Sequence, residues 1–215
     1  MRVIKTEKRK AFSLYLNDEP VKIEDEPLNF EEGLKLKIGN TIPGMELTWF
    51  IFHFDGGSIV WYCDRNLVNW INKETLEKEK LTKKHFSADD CAAELSLPDA
   101  GSEISSDCEW TAIMDFLDGD KENSLHWDNY FSFGVGTVDG HVPARGSVDA
   151  YGYYQFAKTL EHRSVGWRPV LRNVNHDKEA FFALWNAFLR AESRGDVYGA
   201  AARLWQIAGF LKTKL

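Results

Sequence analysis

The residues best suited to chemistry in this sequence are its six histidines and three cysteines, and their spacing favours neither a metal site nor a nucleophile. No two histidines have the H-E-x-x-H spacing of zinc proteases, and no cysteine and histidine set has zinc-finger spacing. No C-x-x-C pair occurs either, so we expect reduced, buried thiols. We therefore predict no metal, no cofactor and no catalytic residue. The cysteines are Cys63, Cys91 and Cys108.

One acidic run, DGDKEN at residues 118–123, matches the first half of a calcium-binding loop, with carboxylates at alternate positions. The match fails further along, because Asn123 stands where the loop needs glycine and Asn129 where it needs glutamate. We interpret the run as an exposed turn. The run GVGTVDG at residues 134–140 lacks the third glycine of a dinucleotide-binding loop and is interpreted as a loop.

The charge of the chain is unevenly distributed. The net charge is −7, but residues 85–140 hold thirteen acidic side chains against Lys121 alone. Because this segment would repel phosphates, we expect no direct nucleic-acid binding. Two interpretations stay open: an acidic face that keeps the protein in solution, or a docking surface for a basic partner or a cation. The carboxylates chosen for a docking face are Asp89, Asp90, Asp118 and Asp120.

The sequence carries no sign of a membrane segment. The basic start MRVIKTEKRK is not followed by an apolar stretch of signal-peptide length, and no run of about 18 apolar residues occurs. We therefore expect no membrane insertion and no secretion through a signal peptide.

The elements that would position these residues begin with strands. Four runs of β-branched and aromatic residues, bounded by turn-forming residues, lie within the first eighty residues. A helix is predicted over residues 106–117, with Ser106 or Asp107 as its N-cap. Residues 123–173 are rich in Gly, Trp and Tyr, which favours short strands and long loops. The predicted helix carries one apolar face, formed by Trp110, Ile113, Met114 and Leu117.

The last forty residues change to a helical pattern. Apolar residues between Phe181 and Leu189 form a stripe, Gly195 can end this helix, and a second helix follows from Asp196. We predict an antiparallel helical hairpin. Its aromatic stripe would be buried either against the main domain or against a second copy of the chain in a homo-oligomer.

The run SVGWRPVLRN, residues 164–173, places an arginine and a proline inside an apolar segment. Proline locks its own φ and pushes the preceding residue into an extended conformation, so the run favours a strand. If Arg168 is buried, its five N–H donors require acidic or carbonyl partners nearby.

Five short motifs, in order, resemble a known family. They are Leu97-Pro98, Glu109-Trp110, His126-Trp127, Arg145-Gly146 and the run GWRPVL at residues 166–171. Together they resemble the formylglycine-generating-enzyme branch, also called sulfatase-modifying-factor-like, of the C-type-lectin-like fold. Residues 60–76, VWYCDRNLVNWINKETL, are similar to a segment of uncharacterised phage and prophage proteins with the same lectin-like ending.

The resemblance implies an α+β fold with three parts. These are a β-rich N-terminal region over residues 1–45, a C-type-lectin-like domain over 46–173 and the helical hairpin over 174–215. Enzymes of this family hold copper with a cysteine pair late in the domain, whereas this chain has no cysteine after Cys108. The resemblance therefore implies a protein that is not an enzyme. It also gives structural roles to Trp110, Arg145, Trp167 and Arg168.

Lectin-like domains of this branch display side chains from the loops before their final strand, which here is the segment 147–163. In an extended conformation Tyr151 and Tyr153 would face one side, and Tyr154 and Phe156 the other. One pair can be displayed for binding, or all of these aromatics can fill a loop-rich core. The predicted binding residues are Trp127, Asp128, Tyr130, Tyr151, Tyr153 and Tyr154.

Three functions follow from these observations. The first is a non-enzymatic phage or prophage protein that binds a protein or other macromolecule through its aromatic loops, in the host cytoplasm or on a virion. The second is a phage-encoded inhibitor of a host defence nuclease of the CRISPR type, acting through the acidic face of residues 85–140. The third, a metal- or oxygen-dependent enzyme, is disfavoured by the spacing of the cysteines and histidines.

Overall fold

The structure is a computed structural model that describes most of the first 172 residues and little beyond them. The chain divides into two compact units, Met1–Asp89 with Ala93–Val174, and Asp90–Ala92 with Asn175–Leu215. The two surfaces proposed below for binding lie in the first unit. The described residues are 1–24, 26–89, 91–103, 107–118, 125–126, 129–137, 139–147, 149–172, 193–196, 199, 201–202 and 204.

The described residues form fifteen strands and two short helices. The helices are α1 Lys73–Lys78 and α2 Glu109–Phe116. None of the described helices is long and apolar enough to span a bilayer. The strands are β1 Val3–Ala11, β2 Ser13–Leu16, β3 Glu19–Val21, β4 Leu28–Asn29, β5 Leu36–Gly39, β6 Leu47–Phe54, β7 Ile59–Cys63, β8 Val68–Asn69, β9 Lys83–Ala88, β10 Cys91–Ser96, β11 Phe131–Phe133, β12 His141–Gly146, β13 Tyr153–Ala157, β14 Val165–Trp167 and β15 Val170–Arg172.

The strands assemble into three sheets. The first has the order β1-β6-β7-β15-β10-β9, and its long central hairpin is β6 with β7. The second has the order β13-β12-β11-β14-β8-β4, with parallel pairs β11-β14 and β4-β8. A small third sheet joins β3, β2 and β5. The aromatic and β-branched runs of the first eighty residues therefore form strands, as their composition predicts.

Strands β14 and β15 belong to different sheets although only Arg168 and Pro169 separate them. Trp167 pairs with Val68 in the second sheet, whereas Leu171 pairs with Trp61 in the first. Proline has no N–H to donate to a ladder, so pairing stops there and the chain passes from one sheet to the other. The single strand predicted over residues 164–173 is thus two strands joined by a crossover.

Helix α2 packs on one face of the first sheet. Trp110, Ile113 and Met114 are buried in one cluster with Phe52 and Tyr62 of the sheet. This is the apolar face predicted from the sequence. The predicted N-cap is wrong, because Cys108 occupies the cap position, and its side chain makes no capping hydrogen bond. The helix therefore begins later than the polar residues before it indicated.

The predicted fold class is wrong. The described residues are mostly β, with a curled antiparallel sheet and α1 and α2 as their helices, so the α+β lectin-like architecture does not describe them. The physical reason is that strands pair along most of the described chain, whereas α1 and α2 are only six and eight residues long. No C-terminal helical hairpin is present among the described residues, and most of 174–215 lies outside them.

Candidate functional site

Arg168, at the crossover between the first two sheets, is completely buried. Its Nε donates to Ser132 Oγ at 2.9 Å, and its Nη1 donates to the carbonyls of Cys63 at 3.1 Å and Asp64 at 2.9 Å. Its Nη2 donates to the carbonyl of His126 at 2.6 Å. Burial lowers the pKa of the guanidinium to about 10. These partners are the carbonyl cluster that a buried arginine requires, and they give Arg168 an architectural role.

Arg145 is the second fully buried arginine, in strand β12. Its Nε donates to the carbonyl of Ala100 at 2.7 Å, and its other nitrogens donate to the carbonyls of Tyr151 at 3.1 Å and Glu103 at 2.8 Å. The guanidinium carbon lies 4.8 Å from the centre of the Tyr153 ring. Arg145 therefore holds the loop around residue 100 against the segment that carries the predicted binding tyrosines.

Trp110 and Trp167 are also completely buried, so neither is available to a ligand. The indole N–H of Trp110 donates to the carbonyl of Ala150 at 2.7 Å. The guanidinium of Arg168 lies 5.6 Å from the centre of the Trp110 ring, which joins α2 to the crossover. Both tryptophans are parts of the core.

A buried polar network that the sequence reasoning missed links α2 to the first sheet. Tyr62 donates its hydroxyl to Glu109, and Arg172 donates to the same carboxylate. Arg172 also donates to the carbonyl of Leu97 at 3.0 Å. Burial, followed by the negative charge of Glu109, raises the pKa of Tyr62 well above its usual value. All three side chains are engaged with one another, so the network stabilises the packing of α2.

One of the four carboxylates predicted to form an acidic docking face makes hydrogen bonds within the protein. The carboxylate of Asp89 accepts hydrogen bonds from the backbone N–H of Thr41 at 2.9 Å and from the Thr41 hydroxyl. Asp118 is exposed after the end of α2. Asp90 and Asp120 lie outside the described residues, as does the rest of the calcium-like run after Asp118. Asp89 is exposed, and its carboxylate anchors the loop before β6.

The predicted binding tyrosines fall into two groups. Tyr151 donates its hydroxyl to Asp115 at 2.7 Å, and Tyr153 donates to the carbonyl of Ser102 and lies under Arg145. Tyr154, in contrast, is 56% exposed. Tyr130 is half-buried, while Trp127 and Asp128 lie outside the described residues. Of this set, the fold displays Tyr154 and ties Tyr151 and Tyr153 into its interior contacts.

Tyr154 is the exposed end of a connected group of rings at the end of the second sheet. Its ring centre lies 4.8 Å from Phe156, which is buried, and 6.0 Å from Phe131, which is half-buried. The His162 ring centre is 6.4 Å from that of Phe156, and Leu160, two residues before His162 in the chain, is 42% exposed. We call these five residues, Phe131, Tyr154, Phe156, Leu160 and His162, the Tyr154 face. Packing from below fixes the orientation of an aromatic ring that water still reaches.

A charged cluster around the sequence CDR, residues 63–65, also escaped the sequence reasoning. Arg65 donates to both carboxylate oxygens of the buried Asp64 at 3.1 Å, and its Nη2 lies 3.1 Å from His126 Nε2. Its Nη1 donates to the carbonyl of Glu24 at 2.9 Å. Asp64 and Arg65 line a cavity of about 360 Å³ together with Glu24. Since the two-pronged Asp64–Arg65 pair is neutral, its evident effect is to fix the surrounding loops.

Among the described residues, Lys73 is a buried lysine whose pKa is strongly lowered. It is 3% exposed, and its Nζ donates to the carbonyl of Gly134 at 3.0 Å. Burial lowers its pKa from 10.5 to about 8, while nearby Glu77 opposes that change. A lowered lysine pKa can mark a catalytic amine. Here the ammonium is directed at a backbone carbonyl, so we interpret Lys73 as structural.

No group of three or more His, Cys, Asp or Glu side chains is placed to hold a metal ion in the part of the chain that the structure describes. Cys63, Cys91 and Cys108 are free and buried, and burial raises the pKa of Cys63 to about 12. A thiol with this pKa stays protonated near neutral pH and is a poor nucleophile.

Comparison of the chain with protein-family models, with curated proteins and with solved structures finds no match. The resemblance to the lectin-like family therefore stays a prediction from short motifs. The function proposed below is therefore based on the side chains that the structure exposes.

Proposed function

We propose that this protein is a non-enzymatic binding protein that contacts a partner protein through the Tyr154 face. The observation that carries the proposal is the combination of exposure and fixed geometry at Tyr154, which is 56% exposed yet packed 4.8 Å from the buried Phe156. A tyrosine held in this way offers a large contact area with little side-chain entropy to lose on binding. Tyrosines of this kind are frequent energetic anchors of protein interfaces.

The surroundings of Tyr154 support the same function. Leu160 adds exposed apolar area, and His162 adds a polar group at the margin. An apolar centre with a polar border is the usual composition of a protein-binding surface. The motif resemblance of the chain to phage and prophage proteins extends the proposal to a partner in the host cell or in a virion.

The alternative of an acidic inhibitor of a host nuclease has weaker support. It depends on carboxylates that can reach a basic channel, and Asp89 is already bonded to Thr41. Asp89 and Asp118 are both exposed, and the other two members of the proposed set, Asp90 and Asp120, lie outside the described residues. The proposal therefore rests on the Tyr154 face, and binding through the acidic face is an alternative outcome of its test.

The proposal is tested by site-specific photo-crosslinking in the cells that naturally contain the protein. Benzoylphenylalanine is placed at position 154, and a matched control carries it at position 116, where Phe116 is 40% exposed on α2. We expect one dominant protein adduct from position 154 that is absent from position 116. Equal adducts from both positions, or none from 154, would contradict the proposal, and an adduct from position 116 alone, two residues before Asp118, would favour the inhibitor.

A further inference from the structure

A groove between the N-terminal strands and α1 contains an exposed tryptophan whose backbone conformation is unusual. The groove has a volume of about 840 Å³ and is lined on one side by residues 30–37 and on the other by Trp70, Asn72 and α1. Trp70 is 43% exposed, and its φ is +56°. A bulky residue in this left-handed region is a steric outlier, since the region favours glycine and tolerates asparagine.

The chain on both sides of Trp70 is fixed, so its conformation is imposed by the fold. Asn69 is buried in strand β8 and accepts a hydrogen bond from the backbone N–H of Phe30 at 2.9 Å. Ile71 is completely buried. Held between these two residues, the backbone turns the indole out into the groove. Glycine or asparagine would satisfy this backbone more easily, so an exposed tryptophan at this position points to a role for its side chain.

The polar groups next to the indole are held in place. The side-chain amide of Asn72 donates to Glu161 Oε1 at 2.9 Å, and its carbonyl oxygen accepts from the backbone N–H of Thr75 at 2.8 Å. Because Asn72 is the N-cap of α1, its rotamer is fixed by the helix. A fixed amide and carboxylate therefore line the same groove as the exposed tryptophan.

The charges along the groove balance one another. Four lysines line it, at positions 35, 37, 78 and 84, against four carboxylates, at positions 18, 32, 79 and 161. Lys37 and Asp18 already form an ion pair at 3.2 Å. A strand of nucleic acid would be attracted by the lysines and repelled equally by the carboxylates, so this balance favours an uncharged ligand.

We propose that this groove, the Trp70 groove, binds a neutral saccharide with one sugar ring stacked on the indole of Trp70. The apolar C–H face of a pyranose matches a flat aromatic ring, and sugar hydroxyls both donate and accept hydrogen bonds. Carboxylates such as Glu161 accept from hydroxyls, and ammonium groups such as Lys78 and Lys84 donate to them. The site is separate from the Tyr154 face and does not rest on the function proposed for it.

Saturation-transfer NMR tests the proposal with the full-length protein and neutral gluco-, manno- and N-acetylglucosamine oligosaccharides as probes at millimolar concentration. We expect transfer to the C–H protons of one ring face for at least one of these sugars. Absence of transfer from all of them overturns the proposal, as does preferential binding of an oligodeoxythymidine included as the charged competitor.

Variants separate a functional tryptophan from a structural one. Trp70→Asn should abolish transfer and leave the melting temperature unchanged or higher, because asparagine tolerates the left-handed backbone. Trp70→Phe keeps an aromatic face and should retain weaker transfer. Phe116→Asn is the matched control at a similarly exposed aromatic and should not change the spectrum. Sugar binding that survives Trp70→Asn overturns the proposal, and crosslinking from position 154 should be unaffected by that variant.

Discussion

Replacing Arg168 by methionine tests whether the crossover guanidinium holds the first two sheets together. Methionine is similar in length and apolar, but it donates nothing to Ser132 or to the carbonyls of Cys63, Asp64 and His126. Those acceptors would remain buried without their donor. A hydrogen bond from a charged group contributes about 1.5–3 kcal/mol, so four of them give roughly 6–12 kcal/mol.

The cost of burying the charge reduces this figure. Burial lowers the pKa of Arg168 to about 10. Since one pH unit corresponds to about 1.36 kcal/mol, a drop of more than two units amounts to roughly 3 kcal/mol. The net loss for Arg168→Met is therefore at least about 3 kcal/mol, in the range measured when one partner of a buried charge network is removed. This is a large part of the roughly 5–15 kcal/mol that stabilises a typical protein.

Urea unfolding followed by circular dichroism measures the loss. For a slope near 2 kcal/mol per molar urea, the midpoint of Arg168→Met should fall by about 1.5 M or more. The matched control is Arg163→Met, which removes an exposed arginine and should change stability by less than about 0.5 kcal/mol. A midpoint for Arg168→Met within the range of that control would refute the assignment of Arg168 as the staple between the sheets.

Two further substitutions test the interior. Lys73→Met should be more stable than the natural chain at pH 7, because burial lowers the lysine pKa from 10.5 to about 8 and disfavours the charged amine in the fold. Between pH 8 and 10.5 the unfolded chain binds more protons than the folded chain, so the natural protein becomes more stable as the pH rises. The stability advantage of Lys73→Met should therefore be smaller at pH 10 than at pH 7. Urea midpoints that differ by the same amount at pH 7 and pH 10 would argue against this. Gly166→Ala should prevent stable folding, since a Cβ there would overlap Asn69 Oδ1 and the Val68 carbonyl, whereas Gly56→Ala meets open space and serves as its control. Similar melting temperatures for the two alanine variants would contradict the packing of β14 on β8.

The sequence contained enough information for several local features. Proline at position 169 and the apolar residues around it indicate extended backbone, and the buried position of Arg168 makes carbonyl partners necessary. The spacing of Trp110, Ile113 and Met114 indicates the buried face of α2. These features depend on neighbours in the chain, which is why pattern reasoning reaches them.

Features that depend on distant neighbours were not predictable. Nothing in the run around Pro169 says that its two halves pair with different sheets, because the partners Val68 and Trp61 are far away in sequence. Short motifs in a lectin-like order suggested an α+β fold, but the described residues form fifteen strands and only two short helices. Tyr153 donates its hydroxyl to the carbonyl of Ser102, 51 residues earlier in the chain, while Tyr154 stays exposed, and the sequence gives no sign of that contact.

The exposure of Trp70 in its groove could not be predicted from the sequence either. Tryptophan in an apolar run is typical of a core residue, whereas Trp70 is exposed and left-handed directly after β8, which pairs with β14 and β4. A residue that fits its local conformation poorly is visible only once the backbone is known.

The central claim is that Tyr154 anchors a protein interface, and the affinity of the crosslinked partner for the full chain tests it most directly. Loss of a buried interface tyrosine costs about 2 kcal/mol or more, which corresponds to roughly a 30-fold rise in Kd. Calorimetry should therefore show Tyr154→Ala binding at least about 30-fold more weakly than the natural chain, with Phe116→Ala unchanged. A Kd for Tyr154→Ala equal to that of the natural chain would contradict the claim.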